Sequence, residues 1–503
     1  MSQEKKQWGA IIIMIALFAM IAFVTNLCTP MATIIQNQGE ISNVLAQIGN
    51  YGNFVAYLIM GIPAGMLISK YGYKKTALIG LFVGIVGILI QWYSGQLNAQ
   101  ENLGLVFGVY LIGAFIAGLC MCILNCVVNP MLNILGGGGN KGNQLIQIGG
   151  VFNSTAAVAC YILMGALIAD ATKAKISDAT PALMIALAIF VVAFIVILMT
   201  KIEEPKQAPV KLDLIKGAMS HRHFALGALA IFLYMGIEVG VPNFVQQYLT
   251  ADTKEIKTQK IQILKDYEAQ KLSANEAAYS YVATTNKNID QILASNDFSE
   301  KQDLEKQINA TMKKLINKDI TSEYIEGKAE GLSIPAGTVG MLVAVYWFMM
   351  LIGRFVGASI GNKVSSRAMI TTVSSLTIIL VLFGMFAPTD VLVSFPGVNW
   401  AKLEVIYQDI PLGIFSFLLV GLFTSVMWGA IFNMAVEGLG KYTAIASGIF
   451  MTMVCGCAVM MFIQASVADF TVNYITSFWV VVFCAAYLLF YALVGSRVTK
   501  REE

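Results

Sequence analysis

Long apolar runs separated by short polar breaks fill almost the whole chain. A run of about 18 or more apolar residues is long enough to cross a bilayer as a helix. About twelve are present, at 10–30, 50–69, 76–95, 104–126, 146–168, 181–200, 224–249, 335–361, 368–387, 411–436, 443–468 and 474–495. The pattern predicts an all-α membrane protein with twelve transmembrane helices. One break is different. Residues 251–333 are a polar, Lys/Glu/Gln/Asn-rich insertion with apolar residues at helical spacing: Ile256, Ile261, Leu264 and Tyr267, then Leu304, Ile308, Met312, Leu315 and Ile316. That spacing predicts two or three amphipathic helices, read either as a solvated spacer or as a surface for an unknown extracytoplasmic partner.

Composition agrees. The chain has 503 residues, 57% hydrophobic and 13% charged, where soluble domains carry about 25% charged residues. The net charge of +3 gives no sign of a nucleic-acid partner. The position of the charges is more telling, because Lys and Arg collect in cytoplasmic loops. Lys5 and Lys6 precede the first run; Lys70, Lys74 and Lys75 follow the second, and Lys141 the fourth. Lys201, Lys206, Lys211, Lys216 and Arg222 follow the sixth, Lys363 and Arg367 the eighth, and Lys441 the tenth. Arg497, Lys500 and Arg501 follow the last. Both termini are therefore expected in the cytoplasm of a cell with an inner (cytoplasmic) membrane, and the insertion outside it. Segment 10–30 reads as a span, since it lacks a small-x-small cleavage site and carries Thr25, Asn26 and Thr29. The eight cysteines lie in or beside spans without metal-ligand spacing, and neither histidine, His221 nor His223, is deep in a span.

The polar stretch near 201–222 divides the spans six and six, and the halves echo each other. Gly149-Gly150-Val151-Phe152 resembles Ser447-Gly448-Ile449-Phe450, Thr29-Pro30 parallels Val241-Pro242, and the stretch from Gly65 to Lys75 parallels that from Gly357 to Arg367. The expected domains are a six-helix bundle at 1–200, a cytoplasmic linker at 201–222, a second bundle at 223–250 and 334–503, and the helical extracytoplasmic insertion at 251–333.

Glu238 sits midway along the run from Phe224 to Leu249. An ionisable group at the bilayer centre costs about 2.5–3.5 kcal/mol on insertion scales, so it faces a wet cavity or a partner. A protonated Glu bonded to a neighbouring helix is the plainer alternative to a proton-coupling group. Other spans carry amides and indoles at similar depth: Asn26, Thr29 and Asn53; Asn125, Asn129 and Asn153; Asn243 and Gln246; Trp347; Trp428 and Asn433. Amides both donate and accept, and indoles offer a flat face, so together these are candidate contacts for a hydroxyl-rich substrate; each amide alone is as well suited to helix–helix packing. Arg354 lies one to two turns from the cytoplasmic end of its span and can snorkel, so a structural role is expected for it. No nucleophile elbow, Walker loop or HExxH is present, so neither an enzyme nor a cofactor is expected.

Several strings carry a resemblance. These are Pro63-Ala64-Gly65 leading to Lys70-Tyr71-Gly72-Tyr73-Lys74-Lys75, Asn129-Pro130 with Leu135-Gly136, Phe152-Asn153-Ser154, Tyr234-Met235-Gly236-Ile237-Glu238, and Gly353-Arg354-Phe355. In order and spacing they are similar to the fucose/galactose/glucose (L-fucose permease-like) group of sugar:proton symporters in the major facilitator superfamily. The resemblance implies two pseudo-symmetric six-helix bundles with the substrate between them. It departs at Thr29 and Asn125, where that pattern carries acids linked to proton coupling and sugar binding, and in the loop after the second span, where the usual acid is missing. Glu238 stands where the fucose permease pattern has Gln. The expectation is a monomeric secondary transporter of a monosaccharide and a proton, coupled through Glu238. A facilitator without coupling and a non-transporting sensor are the alternatives.

Overall fold

A computed structural model describes residues 8–39, 43–97, 103–137, 139–167, 180–200, 213–286, 298–334, 336–361, 363–399 and 404–498, together with Ile289 and Ile292. The first half comprises α1 (Trp8–Gly39), α2 (Asn43–Ser94), α3 (Leu103–Leu135), α4 (Gly139–Leu167) and α5 (Thr180–Met199). Ten helical segments among the described residues are long and apolar enough to cross a membrane, one of them within α2 and two of them made of helices in line. α2 is broken at Gly72, whose φ of 81° and ψ of 174° interrupt the helix. Only glycine adopts such angles freely, so the 50–69 and 76–95 runs are joined there by a turn. Lys74, just past it, donates to Leu198 O at 3.1 Å and Thr200 O at 2.8 Å. A cation on the last carbonyls of α5 complements that helix end.

The linker ends in the short helix α6 (Asp213–Met219), which precedes α7 (Arg222–Thr250). The rest of the second half is α12 (Ala336–Ile360), α13 (Ser366–Phe386), α14 (Leu412–Thr424), α15 (Met427–Val436), α16 (Thr443–Met453), α17 (Gly456–Thr471) and α18 (Trp479–Phe490). Two predicted spans are thus each a pair of helices in line. The break between α14 and α15 falls at Ser425 and Val426, and that between α16 and α17 at Val454 and Cys455. At Val426 the carbonyl accepts from Ala430 N at 3.3 Å and also from Gln147 Nε2 of α4 at 3.1 Å.

The insertion folds as α8 (Lys254–Glu268), α9 (Ala274–Ala283), α10 (Phe298–Ile316) and α11 (Ser322–Glu326). Its buried centre is Leu264, Ala277, Ala278, Leu315 and Ile325, with Ile261, Tyr267, Ile308 and Met312 packed around it. The periodicity marked Leu264 and Leu315 of this core and four residues around it, but not Ala277, Ala278 or Ile325, and Ile316 is exposed. α9 opens with a complete capping box, Ser273 with Glu276. The ends of the insertion are tied to the last turn of α7: Gly331 N donates to Asp252 O at 2.7 Å, Leu332 N to Tyr248 O at 3.0 Å and Ile334 N to Leu249 O at 2.8 Å.

The expectation of an all-α chain needs one correction. Between α13 and α14 lies an antiparallel hairpin, β1 (Leu392–Asn399) with β2 (Glu404–Pro411), in register from Leu392 opposite Pro411 to Asn399 opposite Glu404. Val393 and Phe395 on one strand and Val405, Ile406 and Tyr407 on the other are β-branched or aromatic residues, which favour the pleated form.

Candidate functional site

A cavity of about 220 Å³ lies between the two halves. The first half lines it with Phe18, Thr25 and Asn26 of α1, Phe54 and Tyr57 of α2, Asn125 of α3, and Asn153 and Ser154 of α4. The second half contributes Met235, Glu238 and Asn243 of α7, Trp347, Met350 and Arg354 of α12, Trp428 of α15, Met451 of α16 and Met461 of α17. Seven of the proposed substrate or coupling residues therefore share one chamber: Asn26, Asn125, Asn153, Glu238, Asn243, Trp347 and Trp428.

The others fall elsewhere. Asn129 is fully buried and outside the lining; it faces Trp428, whose Nε1 donates to Asn129 Oδ1 at 3.2 Å. Its place one turn from Asn125 turns it into the helix contact and leaves Asn125 on the cavity wall, where Asn125 Nδ2 donates to Tyr57 Oη at 2.9 Å. Asn433 accepts from Asn133 at 3.4 Å and donates to Ser366 Oγ at 3.0 Å, bracing the interface away from the chamber. Gln246 is exposed and outside the lining; it lies about two turns beyond Glu238 toward the end of α7, past the cavity. The side chains of Thr29 and Asn53 lie outside the described residues.

Arg354 does not reach the surface as its position near the helix end allows, and its place reshapes the site. Arg354 is 8% exposed and does not snorkel. Its Nη2 meets Glu238 Oε1 at 3.3 Å, while Nη1 donates to Gly150 O at 3.0 Å and Asn153 Oδ1 at 2.7 Å. The side chain is held inward because α4 packs along α12 and supplies these acceptors. Gly150 permits the approach: a Cβ there would come within 3.1 Å of Arg354 Cδ. A buried ion pair offsets its desolvation only with good geometry and further hydrogen bonds, which Asn153 and Gly150 provide.

Glu238 is bracketed by aromatic side chains. Tyr346 donates from its phenol to the Glu238 carbonyl at 3.0 Å. The Tyr234 hydroxyl lies beside the carboxylate but closes no hydrogen bond of normal geometry. Trp347 meets Tyr346 edge-on at 5.5 Å, and Trp428 is tilted against Tyr234 at 6.2 Å. On the side of Lys141 and Lys363 the halves meet directly below the cavity. There Gln144 Nε2 donates to Ala358 O at 2.9 Å, beside the Gln147 contact to Val426. Among the described residues no group of three or more His, Cys, Asp or Glu is placed to hold a metal.

The sequence profile of the Major Facilitator Superfamily matches residues 11–255. Over those residues the chain is similar to the Major Facilitator Superfamily. The Glucose/galactose transporter of Brucella abortus biovar 1 (strain 9-941) is 24% identical over 503 residues, 99% of this chain and 96% of that one. The L-fucose-proton symporter of Haemophilus influenzae is 25% identical over 277 residues, 49% of this chain and 62% of that one. Among solved structures, the major facilitator transporter FucP in the outward conformation superposes with a TM-score of 0.65 at 18% identity, covering 97% of this chain and 99% of that one. That likeness is one of fold, and it extends over both halves.

Proposed function

We propose that the chain is a secondary active transporter that carries a monosaccharide with a proton across the inner membrane by alternating access. In this reading twelve helices span the membrane: α2 crosses twice, α4 and α5 once each, and the α14–α15 and α16–α17 pairs each form one crossing. Both termini and the lysine-rich loops lie in the cytoplasm, and α8 to α11 lie outside it. The protein acts as a monomer, with the sugar, the proton and the bilayer as its partners. The observation that carries the reading is the chamber between the halves. Amides on both walls, two indoles on the second and a carboxylate paired with arginine make a site suited to a neutral, hydroxyl-rich ring with an ionisable group at its edge. The names of the relatives, glucose, galactose and fucose transporters, agree with that chemistry.

Glu238 is the coupling group. Its carboxylate is within reach of the cavity and paired with Arg354, so loss or gain of its proton changes the charge that faces the substrate. Asn26, Asn125, Asn153 and Asn243 meet the hydroxyls, while Trp347 and Trp428 cover the ring. The test is uptake of labelled glucose, galactose and fucose by proteoliposomes containing only this protein, with and without an inward proton gradient. Accumulation above equilibrium only with the gradient is expected. Equilibration at the same rate in both cases makes the protein a facilitator, and no uptake of any of the three contradicts the reading.

A further inference from the structure

We infer that Arg354 is a positioning residue that ties the charge of Glu238 to the contact between the two halves. The inference rests on the transport reading for its purpose, but its geometry stands apart from any substrate. Arg354 belongs to α12 in the second half, as Glu238 belongs to α7. Its other partners, Gly150 O at 3.0 Å and Asn153 Oδ1 at 2.7 Å, belong to α4 in the first half. Asn153 in turn donates from Nδ2 to Phe18 O of α1 at 2.8 Å. A continuous polar chain therefore runs from Glu238 through Arg354 and Asn153 to α1, crossing the interface above the Gln144 and Gln147 contacts.

Arginine stays protonated in a protein, so its charge cannot be relieved by titration. With Glu238 ionised, the guanidinium is neutralised within its own half and can bond α4 through neutral acceptors. When Glu238 takes a proton, the same guanidinium is left buried against neutral groups only. Among the described residues the other titratable side chains that face Glu238 are Tyr234 of α7, Tyr346 of α12 and Cys457 of α17. All three are neutral hydroxyls or thiols at ordinary pH, so none replaces the lost anion. The stable response is for Arg354 to reach water, which requires α12 to part from α4. Protonation thus loosens the side of the molecule that bears Lys141 and Lys363, and ionisation closes it.

The test is a distance measurement between spin labels on cysteines placed at Lys141 and Lys363, both exposed, in the full chain in detergent or nanodiscs without sugar. The original protein should show mainly the short distance at high pH and shift toward a longer one as pH falls. Glu238→Gln should hold the longer distance at every pH, and Arg354→Gln, which removes the cation that must reach water, should lose the pH-driven shift. The decisive variant is Asn153→Asp in the Glu238→Gln background. It returns a carboxylate to Arg354 from the α4 side and should restore both the short distance and its pH dependence. A merely structural arginine would not respond to that swap. Short distances retained by Glu238→Gln, or no recovery in the double variant, would overturn the inference even if Arg354→Gln fails to fold. Because no sugar is present, failure of the sugar-transport reading leaves this result unaffected.

Discussion

The two walls of the chamber differ in kind. The first half presents uncharged groups, Asn26, Asn125, Asn153 and Ser154, whereas the second presents both charges, Glu238 and Arg354, and both indoles. Hydrogen-bonding amides are therefore found on both walls, with Asn243 on the second, whereas charge is confined to the second. A substrate that bridges them joins a neutral recognition surface to the only carboxylate in the lining. Arg354 is the exception that joins the walls, since its counter-ion lies in one half and its neutral acceptors in the other.

Substitutions on the charged wall should have the largest effect. Glu238→Gln should abolish gradient-driven accumulation of sugar while leaving sugar-for-sugar exchange, measured in the same proteoliposomes. Undiminished accumulation would remove the carboxylate from the coupling step. On the neutral wall the effect should be graded. Asn153→Ala should weaken sugar binding by about 1–3 kcal/mol, the cost of leaving a buried polar group unpaired, as read from the substrate dependence of exchange. Asn129→Ala acts at one remove, through the indole of Trp428 and through Asn125, to which Asn129 Nδ2 donates, so its penalty should be smaller, about 1 kcal/mol. An Asn129→Ala loss equal to that of Asn153→Ala would put Asn129 on the substrate itself.

The insertion should matter least. Replacing residues 254–330 by a short linker should leave transport intact in well-expressed protein, because Tyr248 to Asp252 already lie against Gly331 to Ile334 and hold the ends together. Loss of uptake in such a variant would make the insertion part of the transport cycle. Within it, Ser273 donates from its backbone N to Glu276 Oε2 at 2.9 Å and from its hydroxyl at 2.8 Å, which holds the Glu276 carboxyl below its usual range. A lowered folded-state value means that the cap contributes above the ordinary carboxylate range and fades as pH falls through the folded value. Amide exchange over Ala274–Ala283 should therefore quicken in acid, and Glu276→Gln should flatten that dependence.

Much of this was legible in the sequence, and the exceptions have physical causes. Glu238 stood out because mid-span ionisable groups are costly, and the amides stood out because they recur at one depth. Which face of a helix such a residue presents is not visible from depth alone. Asn125 and Asn129 are one turn apart on α3, yet the first lines the chamber and the second supports Trp428. The place of Arg354 was hidden for a related reason. Distance to the helix end at Ile360 allows snorkelling, but the acceptors that hold it inward come from α4, roughly 200 residues away in the chain. The hairpin from Leu392 to Pro411 was hidden because its strands occupy a polar gap between spans, and alternation over so few residues is a weak signal beside a membrane-length run.

The central claim is that sugar and proton move together through Glu238. It is tested most directly by adding sugar to the outside of lightly buffered proteoliposomes with no imposed gradient and recording external pH. The account predicts a rise in pH on addition of sugar with the original protein and none with Glu238→Gln. Entry of labelled sugar with no pH change in the original protein would contradict it.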